Sequence, residues 1–512
     1  MPLARVQSVA VVGLDPHPVD VEVDVSSGLP HFVIAGLPDT ALEEAKNRVR
    51  SALTNSGLGF PMCRIVANLS PATLRKAGSM FDLAIAVGLL IAQGVVSEQA
   101  VRDVVLLGEL SLDGRLRPSA GILPAVLGAR DGGAVRVMVP QANAAEAALV
   151  HGVEILGVTS IGQAASCLGA RVAVPEVEPI VNVDAGSGEV RSESPADLAD
   201  VVGQPEAVRA LVLAAAGRHH MLAIGPPGAG KSLLMARLPG ILPDLTEAEA
   251  LTVTAIHSLA GTQRITSLMR RPPLEAPHHS ATLVALVGGG SGVVRPGAVS
   301  RASHGVLFLD EATEFPRAVL DSLRQCLETG EVTIHRAAQT ARFPARFQLM
   351  LAANPCPCGL DGVVGGDCRC AASVRRRYLS RLSGPMLDRV DIQLRIPRVA
   401  PAALLEEPAP GSLTTERARH LVEEARAAAA ERLHGTMWRV NADVPGSFLR
   451  GRLRVPGRIR ASLDHALERG LITMRGYDRC LRVAWTAADL AGRPVPARED
   501  IAEALYMRRA AA

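Results

Sequence analysis

The sequence predicts an α/β protein of three domains, and three features of the chain lead to this prediction. Residues 1–180 alternate short apolar runs of β type with Ala-rich helical segments, and residues 198–400 repeat the alternation in the pattern of a parallel sheet. Residues 181–197 are polar and rich in Gly, Ser and acidic side chains, which is typical of an interdomain linker. Residues 401–512 are helical in character, with an Ala-, Glu- and Arg-rich stretch over 416–433.

The overall charge excludes one broad class of function. The 512 residues carry a net charge of +3, which is too small for a protein that coats nucleic acid. Only Lys46, Lys76 and Lys231 are lysines, and the other 51 basic residues are arginines. This Arg excess indicates GC-rich codon usage and does not by itself indicate nucleic-acid binding. A local basic patch is compatible with the composition, since residues 431–512 contain fifteen Arg against nine acidic residues, a net charge of +6.

The hydropathy pattern indicates a globular protein of the cytoplasm. Hydrophobic residues make up 48% of the chain and charged residues 21%. The longest apolar run, Leu83–Ala92, has ten residues, whereas a membrane span needs roughly 20. We therefore expect a buried core helix there. The N-terminus shows no signal-peptide pattern.

A glycine-rich loop after a short apolar run predicts a phosphate-binding site. The run 222–224 is followed by the pattern GxxxxGK[ST] and then by a helical segment, which is the context that this motif requires. Glycines let backbone N–H groups converge on phosphate oxygens, and the helix N-terminus adds partial positive charge. Lys231 is expected to contact the β- and γ-phosphates of ATP, and Ser232 to bind Mg²⁺. The nucleotide-binding residues are Gly225, Pro226, Pro227, Gly228, Ala229, Gly230, Lys231 and Ser232.

Two later apolar runs end in polar residues that suit ATP hydrolysis. The run 305–309 leads into Asp310 and Glu311. We expect Asp310 to bind Mg²⁺ and Glu311 to act as the general base for the attacking water. A third run, 347–353, ends in Asn354, which is either a γ-phosphate sensor or a turn former before Pro355.

These motifs resemble the AAA+ ATPases, and more narrowly the magnesium-chelatase-like YifB/ComM family. The resemblance covers nearly the whole chain. It implies a P-loop AAA+ core over 198–400, a C-terminal helical lid over 401–512 and an N-terminal α/β Lon-protease-like domain over 1–180. The residues after Glu311 are Ala and Thr, where the family usually has Leu and Pro. The shared motifs begin at Asp200 (DVVGQ), Ala276 (APHHS), Ala285 (ALVGGGS), Gly305 (GVLFLDE), Asn354 (NPCPCG), Ser383 (SGPMLDRVD), Phe81 (FDLAIA) and Gly108 (GELSLDG).

The resemblance also implies that the ATP site is shared between subunits. Arg389 corresponds to the arginine finger, which reaches into the ATP site of a neighbouring subunit, and the alternative is a surface pair with Asp388. Arg475 corresponds to the sensor-2 arginine, with Arg482 as the competing candidate. A finger supplied by a neighbour implies a homo-oligomeric ring, and the family resemblance implies a hexamer.

The Lon-type domain is expected to lack protease chemistry, which needs a Ser–Lys dyad. Phe81 aligns with the serine position and Ala125 with the lysine position. No lysine lies between Lys76 and Lys231. We interpret the domain as an assembly element or as part of a nucleic-acid channel.

Four cysteines in two close pairs predict a structural zinc site. Cys356, Cys358, Cys368 and Cys370 form a CxC…CxC pattern on a Gly- and Asp-rich loop. Thiolates in this number suit tetrahedral Zn²⁺, and in a reducing compartment a metal is favoured over a disulfide. The alternatives are a redox role or free thiols. The adjacent pair His278 and His279 is a poor metal site, because neighbouring residues on a strand face opposite ways.

The ATPase motifs do not indicate which molecule the ATP-driven ring would act on. Arginines at 375–377 and 450–460 are candidates for phosphate-backbone contacts in a ring, and a solvated basic face is the alternative. The loop over 288–292 is a candidate pore loop. The family resemblance implies a DNA helicase or branch-migration factor of recombination or natural transformation. The competing hypothesis is a chelatase-like or chaperone-like ATPase that remodels a protein partner.

Overall fold

A computed structural model describes residues 3–36, 39–71, 79–180, 197–290, 294–336, 339–363, 366–399 and 413–509. Within these ranges the chain forms two main β-sheets flanked by helices, followed by a helical C-terminal part. The predicted α/β class is thereby confirmed. The linker predicted over 181–197 falls almost wholly on residues 181–196, outside the described residues, as do Lys76 and part of the loop 288–292.

The first sheet has seven strands and is mixed. Its central hairpin joins Ala4–Val12 to Asp15–Ser26 in antiparallel register, with Ala4 opposite Val23 and Val12 opposite Asp15. Alternating Val residues bury one face of these strands. The spatial order is His31–Ala35, Arg64–Ser70, Asp15–Ser26, Ala4–Val12, Val104–Leu106, Arg136–Pro140 and Glu154–Val158.

The predicted core helix lies against this sheet. It spans Asp82–Ala92, and all eleven of its residues are buried. The helix packs so closely that a Cβ at Gly88 would lie 2.7 Å from Val23 Cγ2. Phe81 and Ala125, the positions aligned with the protease dyad, are both buried in the core, with 1% and 0% exposure. The other helices of this part are Asp39–Asn55, Ile122–Asp131, Ala144–Ala147 and Ile161–Cys167, with 3₁₀ turns at Glu98–Val101 and Gln141–Asn143.

The second sheet has five parallel strands. Its spatial order is Leu274–Glu275, Val306–Leu309, Gln348–Ala353, Met221–Ile224 and Ile392–Arg395. The three central strands are fully buried, which explains their continuous apolar sequences. Because all five strands are parallel, the residues that follow them meet at one edge of the sheet.

Short helices and hairpins surround the second sheet. The helices are Pro205–Gly217, Lys231–Met235, Leu238–Ile241, Glu247–Ala260, Leu283–Val287, Ala298–Arg301, Arg317–Thr329, Ala372–Leu379 and Gly384–Leu387. The hairpins pair Gly288–Gly289 with Arg295–Pro296 and Glu331–Arg336 with Gln339–Pro344. The C-terminal helices are Thr415–Arg432, Gly446–Arg450, Gly457–Glu468, Met474–Leu490 and Arg498–Arg509.

A buried polar network fixes the C-terminal helices on the second sheet. His219 is fully buried; its Nδ1 lies 3.1 Å from Asp391 Oδ2, and its Nε2 lies 2.8 Å from Thr486 Oγ1. Arg479 Nη1 donates to Asp391 Oδ1 at 2.5 Å. These partners hold the pKa of Asp391 well below its usual range, although burial acts in the opposite direction. The helical part is therefore held in a defined position relative to the sheet.

The N-terminal part contacts the helix Glu247–Ala260. Gly121 N donates to Ser258 O at 3.0 Å, and the Ser258 hydroxyl contacts the Glu146 carboxylate. Asn143 Nδ2 donates to the other oxygen of Glu146 at 2.9 Å. Burial raises the pKa of Glu146. The two sheets are thus joined through buried polar contacts as well as apolar packing.

In the part of the chain that the structure describes, no helix combines the length and the apolar character needed to cross a membrane.

Candidate active site

The loop after the strand Met221–Ile224 has the backbone conformation of a phosphate cradle. Gly228 and Gly230 adopt φ values of +76° and +80° with open space where a Cβ would lie, so conformation requires glycine at both positions. Gly230 is the N-cap of the helix Lys231–Met235. At Gly225 space is limiting, because a Cβ would collide with the carbonyl oxygen of Ile396. The sequence motif therefore folds with its backbone free to approach an anion.

Lys231 lies at the centre of this loop. Its Nζ donates to Gly225 O at 2.7 Å, to Pro226 O at 2.9 Å and to Asn354 Oδ1 at 3.1 Å. Desolvation lowers its pKa, while the nearby carboxylates of Asp310 and Glu311 act in the opposite direction. The structure brings Lys231 and Asn354 together, although 123 residues separate them in the sequence.

Ser232 and Asp310 contact each other in the same cavity as Lys231. Ser232 Oγ donates to Asp310 Oδ2 at 2.5 Å, and Glu311 N donates to Asp310 Oδ1 at 2.8 Å. A hydroxyl and a carboxylate in contact are hard oxygen ligands of the kind that Mg²⁺ prefers, with water and phosphate completing its shell. The residues present therefore fit a magnesium ion bound together with a nucleotide.

Glu311 has a left-handed backbone and a histidine partner. Its φ of +50° is unusual for a residue with a side chain and points to a fixed geometry. His279 Nδ1 lies 3.1 Å from Glu311 Oε2. Among the described residues, no hydrogen bond or ion pair is made by the other carboxylate oxygen, Oε1. About half of the Glu311 side chain is exposed, so the carboxylate is open to solvent in part.

The histidine pair differs from the sequence-based expectation. His278 and His279 do not lie on a strand with opposite faces. They follow the edge strand Leu274–Glu275, and their rings lie 4.0 Å apart. His278 Nδ1 lies 2.8 Å from Ser280 Oγ, whereas His279 reaches Glu311. Sequence reasoning missed His279 as a site residue, because its contact with Glu311 depends on the pairing of Leu274 with Val306, which the sequence does not show.

Two cavities meet at the carboxylates. One of about 350 Å³ adjoins the phosphate loop, and the other of about 320 Å³ adjoins the histidine pair. Asp310 and Glu311 line both cavities. The first is lined by residues 227–233 together with Asp310, Glu311, Ala353 and Asn354. The second is lined by Ala276, Pro277, His278, His279, Phe308, Asp310 and Glu311.

Arg389 and Arg475 lie near each other and line neither cavity. Arg389 contacts the Glu328 carboxylate, and its side chain is only 14% exposed. Burial lowers its pKa, with further contributions from the positive charges of Arg324, Arg475 and Arg479. Arg475 is 72% exposed, and its Nη1 lies 4.0 Å from Asp388 Oδ2. The competing candidate Arg482 is partly buried, donates to Val444 O at 2.8 Å and has a pKa lowered by desolvation.

The four clustered cysteines converge in space. Their Sγ atoms all lie within 4.8 Å of one another, with Cys356–Cys358 at 3.3 Å, Cys356–Cys368 at 3.7 Å and Cys358–Cys368 at 3.6 Å. The sulfur separation in a tetrahedral zinc site with bonds of about 2.3 Å is about 3.8 Å, so the spacing fits. A backbone hydrogen bond from Leu360, together with neighbouring thiols, lowers the pKa of Cys358 to about 7. None of the four is in a disulfide.

Ion pairs neutralise part of the candidate basic surface. Arg375 contacts Asp361, Arg450 contacts Asp478, and Arg460 lies 3.3 Å from Asp464. Among the described residues no carboxylate pairs with the arginines at positions 376, 377, 452, 454 and 458. These five remain candidates for contact with an anionic partner.

Comparison with known proteins gives matches along most of the chain. The family model described as "Subunit ChlI of Mg-chelatase" matches residues 21–143. Those described as "Magnesium chelatase, subunit ChlI" and "Magnesium chelatase, subunit ChlI C-terminal" match residues 197–404 and 412–508. The chain is 48% identical over 519 residues to an uncharacterized protein of Mycobacterium tuberculosis, with both chains covered fully. It is 38% identical over 508 residues to Competence protein ComM of Haemophilus influenzae, covering 99% of this chain and 98% of the relative. It is 37% identical over 508 residues to an uncharacterized protein, YifB, of Escherichia coli, covering 99% and 97%.

Proposed function

Because this chain belongs to the YifB/ComM family of magnesium-chelatase-like AAA+ ATPases, we propose that it is an ATP-driven ring motor that moves DNA. The specific activity we propose is that of a helicase or branch-migration factor in recombination or natural transformation. The observation that supports the motor is the convergence of Lys231, Asn354, Ser232, Asp310 and Glu311 around one cavity. The name of the Haemophilus influenzae relative supports the DNA substrate.

Each residue of the cavity has a separate role in the proposed hydrolysis of ATP. The loop backbone and Lys231 hold the β- and γ-phosphates of ATP. Ser232 and Asp310 would hold Mg²⁺, which would supply positive charge to neutralise the phosphates. Glu311 Oε1 accepts a proton from the water that attacks the γ-phosphorus, and Asn354 orients that water or the γ-phosphate. The bond from the γ-phosphorus to the bridging oxygen breaks, and ADP and phosphate leave.

Two arginines are proposed to act on the ATP of a neighbouring subunit. Arg389 and Arg475 lie together and line neither cavity of their own chain, which supports a position at a subunit boundary. An arginine that reaches the ATP of a neighbouring subunit stabilises negative charge on the transferring phosphoryl group. We propose a homohexameric ring, in which Arg389 exchanges Glu328 for the neighbour's phosphate. Arg475→Ala should reduce turnover with unchanged thermal stability, whereas Arg482→Ala should lower Tm, because it removes a partly buried donor to Val444 O.

The DNA assignment has a direct test. ATP turnover is measured at low salt with and without branched DNA, and strand displacement is scored on the same substrate. The proposal predicts stimulation and displacement, both lost in Lys231→Ala, and a steep decline with salt because phosphate contacts release counterions. Absence of DNA binding at low salt would contradict it.

The competing function is remodelling of a protein partner in the manner of a chelatase. The observation that supports this second candidate is that the three matching family models all describe a magnesium-chelatase subunit. The two functions differ in what stimulates ATP turnover. Stimulation by a protein partner, with no response to DNA, would favour the chelatase-like function.

We also propose that the cysteine cluster binds one structural Zn²⁺. The four Sγ atoms supply a complete ligand set for a closed tetrahedral site. Metal analysis of anaerobically purified protein tests this directly, with about one zinc per chain expected.

A further inference from the structure

The first turn of the cysteine loop rests on the phosphate loop. Gly359 has φ of +75°, and its N–H donates to Cys356 O at 2.9 Å. A Cβ at Gly359 would lie 2.7 Å from Pro227 Cγ and closer still to Pro227 Cδ. The Gly359 backbone is therefore packed directly on the ring of Pro227, which lines the nucleotide cavity. The absence of a side chain at Gly359 is what permits this approach.

A second connection runs through Asn354. Lys231 Nζ donates to Asn354 Oδ1 at 3.1 Å, and Cys356 follows two residues later with its side chain fully buried. The chain therefore passes from the partner of Lys231 into the first cysteine without an intervening loop. Movement of Cys356 would displace Asn354 as well as Gly359.

The geometry of this turn depends on the distant half of the loop. Cys368 and Cys370 approach Cys356 and Cys358 from the other end, and every contact among the four involves a thiol group, which meets either another thiol or a backbone N–H. Thiols are weak hydrogen-bond donors and acceptors, so these contacts alone hold the loop weakly. The ion pair of Arg375 with Asp361 is a further link, on the exposed side. A metal ion that bonds all four sulfurs would replace weak contacts with four strong bonds.

We infer that metal binding by the four cysteines braces the phosphate loop through Gly359 and Pro227, and thereby sets the affinity of the site for nucleotide. This inference rests on the proposed nucleotide and zinc sites. It assigns the metal a role in ATP binding beyond stabilisation of its own loop. The ligand is a divalent metal ion that prefers thiolates, with zinc expected.

Metal content and nucleotide affinity, measured on the same full-length protein, test the inference. Affinity is read from the fluorescence of a labelled ATP analogue, and ligation from the absorption of a Co²⁺-substituted sample. Cys368→Ser should lose the metal and bind the analogue about tenfold more weakly, which equals about 1.4 kcal/mol. Cys167→Ser is the matched control, because Cys167 is an exposed thiol at the end of the helix Ile161–Cys167. It should retain both metal and affinity.

A second variant separates the contact of Gly359 with Pro227 from metal binding. Gly359→Ala should keep the metal yet weaken nucleotide binding, since its methyl group displaces Pro227. Reversible chelation of the wild-type protein avoids any folding defect of a variant, and affinity should fall on metal removal and return with added Zn²⁺. Unchanged affinity after complete metal loss would overturn the inference. If the wild-type protein holds metal but binds no nucleotide, both the proposed ATP function and the link between metal and nucleotide affinity are wrong. If it binds nucleotide but holds no metal, only the link between metal and nucleotide affinity is wrong.

Discussion

Replacement of Glu311 by Gln isolates the proton-accepting role of this side chain. The amide has nearly the same shape as the carboxylate and can occupy the same place beside His279 Nδ1, which lies 3.1 Å from Glu311 Oε2. The backbone contact of Glu311 N with Asp310 Oδ1 at 2.8 Å does not involve the side chain and is retained. We therefore expect the variant to fold and to bind ATP as the wild type does.

The expected loss is in turnover. A positioned general base contributes about 10²- to 10⁴-fold to rate. This range equals about 2.7 to 5.4 kcal/mol of activation free energy. The structure favours the lower end, because the Glu311 carboxylate is about half exposed and Asn354 remains to orient water. Hence kcat should fall about 100-fold or more.

Phosphate release at saturating ATP measures kcat, and a labelled ATP analogue measures affinity. The same two measurements on Glu311→Asp provide a control, since this variant keeps the charge but withdraws it from the attacking water. A Glu311→Gln protein with kcat within about threefold of the wild type would refute the assignment of Glu311 as the base.

Two further predictions concern His279 and Asp82. His279→Ala should lower kcat about two- to fivefold without changing KM, because a contact between part-exposed groups contributes about 0.5 to 1 kcal/mol. Steady-state kinetics check this prediction, with His278→Ala as the control. Equal effects of the two variants on kcat would contradict it. Burial raises the pKa of Asp82 to about 6, despite the Arg48 guanidinium beside it. The folded state then holds a proton that the unfolded chain has released, so the free energy of unfolding should fall by about 2 kcal/mol, relative to Asp82→Asn, as the pH rises from 4 to 6. Urea unfolding measures this difference, and a rise over that range would contradict the sign.

The contiguous motifs could be predicted from sequence because the local chain determines their geometry. The positive φ values of Gly228 and Gly230 follow from the loop itself, and Asp310 and Glu311 follow a strand whose apolar run is unmistakable. The core helix was predicted for the same reason, since Leu83–Ala92 is continuously apolar and is wholly buried in the structure. Strand ends differ by a few residues from the predicted runs, since tertiary hydrogen bonds decide where pairing stops.

Residues that act across elements could not be placed in this way. The contact of His279 with Glu311 depends on the pairing of Leu274 with Val306, which adds an edge strand beside the strand that leads to Glu311. The sequence pattern predicts that His278 and His279 lie on a strand. In the structure they lie in the loop that follows the edge strand Leu274–Glu275, at the carboxyl edge of the sheet.

The positions of Arg475 and Gly359 are also set by packing between distant segments. Arg475 lies beside Asp388 because a buried network holds the C-terminal helices in place. Gly359 meets Pro227 across 132 positions of sequence, and only the folded sheet brings their loops together. A pattern of residue types carries no signal for either contact.

The shared ATP site is tested most directly by mixing two inactive variants. Arg389→Ala and Glu311→Gln should each assemble and bind ATP but hydrolyse it very slowly, because one lacks the finger and the other lacks the base. In an equimolar mixture, about a quarter of the subunit boundaries combine an intact Glu311 with an intact neighbouring Arg389, so turnover should recover to about a quarter of the wild-type rate. Normal hydrolysis by Arg389→Ala alone, or no recovery on mixing of co-assembled variants, would contradict a motor whose ATP site is completed by its neighbour.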